Sequence, residues 1–226
     1  MSTRKLVLFD LDGTLIDSET GITASIAWAF EQIGVAAPPR DVLRGWIGPP
    51  FWHTFPGVLG DDEARIEAAI GHYRVRFDEI GWSEHAIYPG IPSVLASLAG
   101  TGARLAIVTG KVLPQACRIV EHSFAGLFER VYAPDAKHRD GSKAAMVAQA
   151  LADFALDASD AVMVGDRHFD IAGARANGVH ALGAGWGFGS REELIDAGAD
   201  AIADEPADIA RLLGVFMHET PDSAAA

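Results

Sequence analysis

A single cysteine, Cys117, occurs in the 226 residues, which excludes an internal disulfide framework and any metal site built from several thiolates. It sits among Gln115, Ala116, Ile119 and Val120 in a helical pattern and is expected as a small buried apolar residue. No stretch stays apolar for the length a membrane-spanning helix needs. The apolar run after Lys5 meets acidic residues at once and is too short for a secretory signal, so the expected location is the cytoplasm. Basic residues are scarce: 18 Lys and Arg stand against 31 Asp and Glu, a formal charge of −13 with the eight histidines neutral. Such a chain repels nucleic acid and anionic lipid, so neither is an expected partner. An anionic substrate would need a local cationic site or a metal. Repeats and low-complexity linkers are absent, and only the alanine-rich end after His218, Glu219 and Thr220 reads as disordered.

Hydrophobic residues make up 49% of the chain, enough for one large domain or for a core carrying an insertion. Short apolar runs of strand type recur at Leu6 to Phe9, Arg104 to Val108, Arg130 to Tyr132, Ala161 to Val164, Val179 to Leu182 and Asp200 to Ala203. Helical patterns alternate with them: Pro92 to Ala99, Leu113 to His122, Lys143 to Phe154, Phe169 to Asn177, Arg191 to Ala197 and Ala207 to Leu213. This alternation predicts an α/β fold, a doubly wound parallel sheet with helices on both faces and ligands at the carboxyl ends of the strands. From Asp17 to about Ile87 the rhythm breaks into helices with no convincing strand. Ile22, Ile26, Ala29, Phe30 and Ile33 make one apolar stripe, and Ile66, Ala69, Ile70, Tyr73 and Phe77 another. The expected organisation is a core of residues 1–16 and 88–226 with a helical cap, 17–87, inserted after the first strand. Between the two stripes lies Trp46-Ile47-Gly48-Pro49-Pro50-Phe51, a stiff loop with aromatic side chains.

Four motifs carry chemistry. Asp10-Leu11-Asp12-Gly13-Thr14 ends the first strand. Asp is depleted in strands and almost never buried unpaired, while Gly13 allows a tight turn that leaves amides facing an anion. The dipeptide Asp12-Gly13 is also an ordinary turn signal. Gly165-Asp166-Arg167-His168-Phe169-Asp170 opens a helix after another strand, with two acids one helical turn apart. One of them could cap that helix, but carboxylates converging from neighbouring strand ends form a hard-oxygen site suited to Mg²⁺. Thr109-Gly110-Lys111 offers a hydroxyl and amides to a phosphate oxygen, with Lys111 expected in solvent. Lys143 opens a helix after Asp140-Gly141-Ser142, against the dipole, so a nearby anion is expected.

In this order and at these element ends, the motifs resemble the haloacid dehalogenase superfamily, in particular its phosphoglycolate phosphatase and 5′-nucleotidase branch with a helical cap. The likeness runs from Lys5 to about Leu213 and includes Ile47-Gly48-Pro49-Pro50, Tyr88-Pro89-Gly90 and Trp186-Gly187-Phe188-Gly189-Ser190. It implies a Mg²⁺-dependent phosphomonoester hydrolase with Asp10 as nucleophile and Asp12 as general acid/base. Asp10, Asp166, Asp170 and the Asp12 carbonyl would serve the metal. Thr109, Gly110, Lys143 and the amides of Leu11 and Asp12 would hold the phosphoryl group. Asp170 would orient metal-bound water or Lys143. Trp46, Ile47, Gly48 and Phe51 are the expected specificity residues, with packing of the cap's own core the alternative for the aromatics and above all for Phe51. The partner is a small phosphate ester met by a monomer or homodimer.

Three other readings are open to residue-level comparison. A phosphomutase of the same superfamily is expected to carry a cap histidine where Ile22 stands. A phospho-accepting receiver module lacks the inserted helices and the second acid. A dinucleotide-binding oxidoreductase is prompted by Gly183-Ala184-Gly185-Trp186-Gly187-Phe188-Gly189, but the glycine spacing fails. That segment is expected as a loop near the site entrance, with simple flexibility as the alternative.

Overall fold

The apolar run Leu-Val-Leu-Phe forms strand β1 (Leu6–Phe9), and all four side chains are fully buried. A strand apolar at every position needs cover on both faces, which a parallel sheet flanked by helices provides. The computed structural model describes residues 5–135 and 141–218; residues 1–4, Asp140 and the alanine-rich end lie outside the described residues. Further along are β2 (Ile16–Asp17), β3 (Ala86–Ile87), β4 (Arg104–Val108), β5 (Arg130–Tyr132), β6 (Ala161–Gly165), β7 (His180–Ala184) and β8 (Ala201–Ala203). The cap region holds α1 (Glu19–Gln32), α2 (Arg40–Arg44), α3 (Phe51–Thr54), α4 (Pro56–Leu59) and α5 (Glu63–Glu79). The remaining helices are α6 (Ile91–Gly100), α7 (Leu113–Phe124), α8 (Lys143–Phe154), α9 (His168–Arg175), α10 (Arg191–Asp196) and α11 (Asp208–His218).

Six strands pair in the order β5-β4-β1-β6-β7-β8, each pair parallel. Val7 and Phe9 face a core shared with α6, α7 and α11, while Leu6 and Leu8 face a second core with α8 and α9. The chain lays β4 and β5 to one side of β1 and β6 to β8 to the other. The direction of winding reverses there, so the loops leaving β1, β4 and β6 diverge and open a crevice at their carboxyl ends.

The first core continues into the cap. The helix α1 packs on α5 through Ile22, Ile26, Ala29 and Phe30 against Ile66, Ala69, Ile70, Tyr73 and Phe77, all buried. Asp62 caps α5 by accepting the Arg65 N–H at 3.1 Å, so this helix has a defined start. Ile33, expected on the same stripe, is only partly buried.

Three expectations need correction. The interval from Asp17 to Ile87 does contain strand: β2 and β3 pair antiparallel, Ile16 with Ile87 and Asp17 with Ala86, where the chain leaves and rejoins the sheet. Two residues per strand are too few to show a period of two. Phe51 opens the helix α3 and is not part of a loop. Cys117 is exposed, because Gln115, Ala116, Ile119 and Val120 take the inward face of α7. No helix among the described residues is long and apolar enough to cross a membrane.

Candidate active site

The Asp10 N–H donates to the Val164 carbonyl at 2.9 Å, extending the β1–β6 ladder one residue past the strand. The ladder therefore sets Asp10 beside the end of β6, where Asp166 follows. Asp170 comes from the first turn of α9, its Oδ2 accepting the Arg167 N–H at 3.1 Å. A side chain at Gly165 would place its Cβ 2.3 Å from the Asp170 Cβ; only glycine at this strand end lets Asp170 fold back over it. Asp10, Asp166 and Asp170, all buried, each present a carboxylate oxygen within 4.8 Å of the others.

Lys143 meets this trio from the start of α8. Its Nζ lies 2.6 Å from Asp10 Oδ1 and 2.6 Å from Asp170 Oδ1 and donates to the Val108 carbonyl at 2.8 Å. The anion expected beside a lysine at a helix start is thus the carboxylate pair itself. Burial alone would push the ammonium toward neutrality, but Asp10 and Asp170 outweigh it and hold the proton more tightly than in an ordinary lysine. Burial drives Asp10 up to about 7 against the pull of Lys143, with Asp170 and Asp12 adding to the rise. Asp166, fully buried, is raised by burial first and by Asp10 and Asp170 next. Three carboxylates share one ammonium, an excess of acid that burial opposes by raising Asp10 and Asp166. An all-oxygen donor set with that imbalance fits a divalent cation such as Mg²⁺.

Asp166 is held from behind by the glycine-rich segment. Phe188 N–H donates to its Oδ2 at 2.8 Å and Thr14 Oγ1 to its Oδ1 at 3.2 Å. A Cβ on Gly187 would lie 2.3 Å from the Asp166 Cβ, and one on Gly189 would lie 2.0 Å from its carbonyl oxygen. The segment is therefore packed rather than flexible: its glycines permit backbone contact with Asp166 where any side chain would clash.

Asp12 points elsewhere. Its Oδ2 lies 3.1 Å from Lys111 Nζ, and its Oδ1 is buried without a partner, so its side chain stands outside the acidic trio. Lys111, expected in solvent, has a side chain only 4% exposed, with its ammonium 4.4 Å from the centre of the Phe77 ring on α5. The only hint in the sequence was a cation directly after Thr109-Gly110. Thr109, 1% exposed, accepts the Lys111 N–H on its Oγ1 at 3.2 Å.

Above these groups lies a cavity of about 480 Å³. Asp10, Asp12, Thr109, Gly110 and Lys143 line one side, and Trp46, Ile47, Gly48, Phe51, Trp52 and Tyr73 line the cap side. Leu11 and Asp166 are fully buried. The cap rings also pack on one another: Trp46 sits 5.7 Å from Phe55, and Phe51 stacks on Phe55 at 4.7 Å and meets Tyr73 at 4.5 Å. They are part of the cap's own core as well as the wall of the cavity.

A doubly wound α/β sheet with an acid trio and a lysine at its switch point, under a helical layer, defines an enzyme that handles an anionic group. The chain belongs to the haloacid dehalogenase-like hydrolase family, whose model matches residues 7–184, and it is an enzyme of the phosphatase kind. A 5′-nucleotidase from Pseudomonas aeruginosa is 39% identical over 189 residues, 83% of this chain and 86% of that protein. The protein from Mycobacterium tuberculosis named tyrosine-protein kinase PtkA is 37% identical over 210 residues, 92% of this chain and 71% of that one. Among solved structures, a predicted phosphatase from Clostridium acetobutylicum superposes with a TM-score of 0.88 at 32% identity, covering 95% of this chain and all of that one.

Proposed function

We propose that this phosphatase hydrolyses a 5′-nucleotide, or a phosphomonoester of similar bulk, through a phosphorylated Asp10 and with Mg²⁺. The observation that carries the reading is Lys143 Nζ at 2.6 Å from both Asp10 and Asp170 on the floor of the cavity. Asp10 attacks phosphorus, the bond from phosphorus to the ester oxygen breaks, and Asp12 gives its proton to that oxygen. Water then attacks phosphorus, Asp12 takes the water's proton, and Asp10 is released as a carboxylate. Lys143, Thr109, Gly110 and the amides of Leu11 and Asp12 hold the phosphoryl oxygens as charge moves onto them. Lys111, 3.1 Å from Asp12 Oδ2, orients the Asp12 carboxyl group toward the leaving group. Asp10, Asp166, Asp170 and the Asp12 carbonyl would hold Mg²⁺, which when bound neutralises charge on the phosphoryl group.

A two-carbon phosphate would leave most of about 480 Å³ unfilled, whereas the rings of Trp46, Phe51, Trp52 and Tyr73 offer flat apolar surface to a base. Ile22 lines the same cavity, 5% exposed, and has no group to move a proton, which disfavours the mutase reading. The test is phosphate release from nucleotides, sugar phosphates and phosphoglycolate, with Mg²⁺ or with chelator. The reading expects Mg²⁺-dependent release, fastest from nucleotides and absent in Asp10→Asn. Full activity in a folded Asp10→Asn variant would overturn it. ATP with a tyrosine peptide belongs in the panel because of the PtkA likeness, and no transfer to the peptide is expected.

A further inference from the structure

Arg167 stands at the N-cap of α9, where Ser, Thr, Asp or Asn is the usual choice and a cation opposes the helix dipole. Asp170 does the capping there by accepting the Arg167 N–H, so nothing in the helix calls for a guanidinium. The side chain, 13% exposed, reaches toward the cap. Its Nε donates to Glu193 Oε1 at 2.9 Å, and its Nη1 donates to the Ile47 carbonyl. Glu193 is itself anchored, since Oε1 also accepts the His168 N–H at 2.9 Å and lies 2.6 Å from His168 Nδ1. Two glycines make room for the arginine stem. A Cβ on Gly48 would lie 3.3 Å from the Arg167 Cγ, and one on Gly189 would lie 3.2 Å from its Cδ. From the cap side, Arg44 at the end of α2 donates through Nη2 to the Gly187 carbonyl at 3.2 Å, a second tie between cap and core that runs in the opposite sense to the loop after β7.

The geometry points to Arg167 as a positioning residue: it is the latch by which the sheet fixes the cap loop carrying Trp46 and Ile47 over the cavity, with Glu193 as its anchor. The assignment rests on the hydrolytic reading above. A guanidinium presents its donors in a rigid plane and so holds Glu193 and a backbone carbonyl at once, whereas the point charge of a lysine does not replace both bonds. A charge-assisted bond to a carbonyl fixes the loop whatever its side chains are. The loop meets the part of the ester beyond the phosphoryl group, so losing the latch should penalise a bulky ester more than a minimal one.

The test compares wild type with Arg167→Met, which keeps the stem between Gly48 and Gly189 but has no donor, and with Arg167→Lys. The probes are a 5′-nucleotide and methyl phosphate, with hydrogen exchange measured at Trp46 and Ile47, whose N–H groups bond to Leu43 and Arg44 carbonyls. In Arg167→Met, the nucleotide-to-methyl-phosphate ratio of kcat/KM should fall about tenfold or more, mainly through KM. Exchange at both amides should quicken about tenfold, and Arg167→Lys should recover only part of either effect. Glu193→Gln should shift the ratio in the same direction, and adding it to Arg167→Met should do no further harm. A folded Arg167→Met protein with ratio and exchange within about threefold of wild type overturns the latch. Should that variant fail to fold, wild-type ratio and exchange in Arg167→Lys overturn it instead. If wild type releases phosphate from no ester, the hydrolytic reading fails, and the exchange measurement still decides the latch.

Discussion

Replacing Lys143 by Met keeps the length of the side chain and removes its ammonium. In the native protein that ammonium lies 2.6 Å from Asp10 and from Asp170, and its own side chain is 11% exposed. In the variant the acid trio stays buried with no ammonium in it. Removing one partner of a buried ion pair costs about 3–5 kcal/mol. For a domain of this size each kcal/mol moves Tm by about 2–4 °C, so the metal-free variant should melt about 6–20 °C lower. Mg²⁺ at a hundredfold excess over its Kd stabilises by about 2.7 kcal/mol. It should raise the Tm of the variant more than that of wild type, because the cation competing for the same carboxylates has gone. Turnover should fall by about 10²–10³, the usual effect of losing one donor to transition-state charge. Thermal scans with Mg²⁺ or chelator, beside phosphate release, read both. A metal-free variant that melts like wild type would refute the claim that Lys143 balances the trio, even if its activity were lost.

Asp12→Asn should lower turnover of alkyl phosphates by about 10²–10⁴, and a loss below about tenfold would assign the proton to another group. Gly13→Ala should cost about 1–3 kcal/mol from its left-handed backbone alone: φ is +85° and the new Cβ would lie 2.2 Å from Asp166 Oδ2. A wild-type Tm in that variant would contradict the close packing of Gly13 on Asp166. Burial pushes the Glu193 carboxyl up, but the His168 N–H, the His168 ring and Arg167 outweigh it and hold it at about 2, below its ordinary 4.5. A depressed folded value means that the contribution is complete above the ordinary value and lost as pH falls toward the folded one. The Tm gap between wild type and Glu193→Gln should therefore be widest near neutrality and narrow below about pH 4.5; a gap independent of pH would show that the carboxylate charge is not what matters.

The strands of the sheet were legible because each is a short apolar run closed by a turn, and a parallel sheet buries such runs on both faces. The floor of the site was legible for the opposite reason: Asp10, Asp166 and Asp170 sit where strands end, and acids there have no place in a core. Lys143 opposes a helix dipole, a signal that carried weight only beside the other motifs and would alone read as a surface lysine. What escaped depends on partners far away in the chain. Lys111 looks like any turn lysine until the fold brings Asp12 and Phe77 to it. The glycines at 187 and 189 suggest flexibility until Asp166 is seen packed against them. Arg167 passes as an unremarkable residue between two acids, because its acceptors, Ile47 and Glu193, are 120 and 26 positions distant. The pair β2 and β3 was too short to leave a pattern at all.

A phosphoryl group carried by Asp10 can be trapped on it. Asp12→Asn with nitrophenyl phosphate suits this, since nitrophenolate departs without a proton while the second step still lacks its base. The protein is quenched in acid during turnover with Mg²⁺ and reduced with borohydride, which converts an aspartyl phosphate to homoserine. Mass spectrometry of the peptide containing residue 10 then reads the product. Homoserine is expected at position 10, only when substrate is present, and none in an Asp10→Asn protein. Continued phosphate release with an unmodified Asp10, or homoserine at another aspartate, would contradict a phosphorylated Asp10.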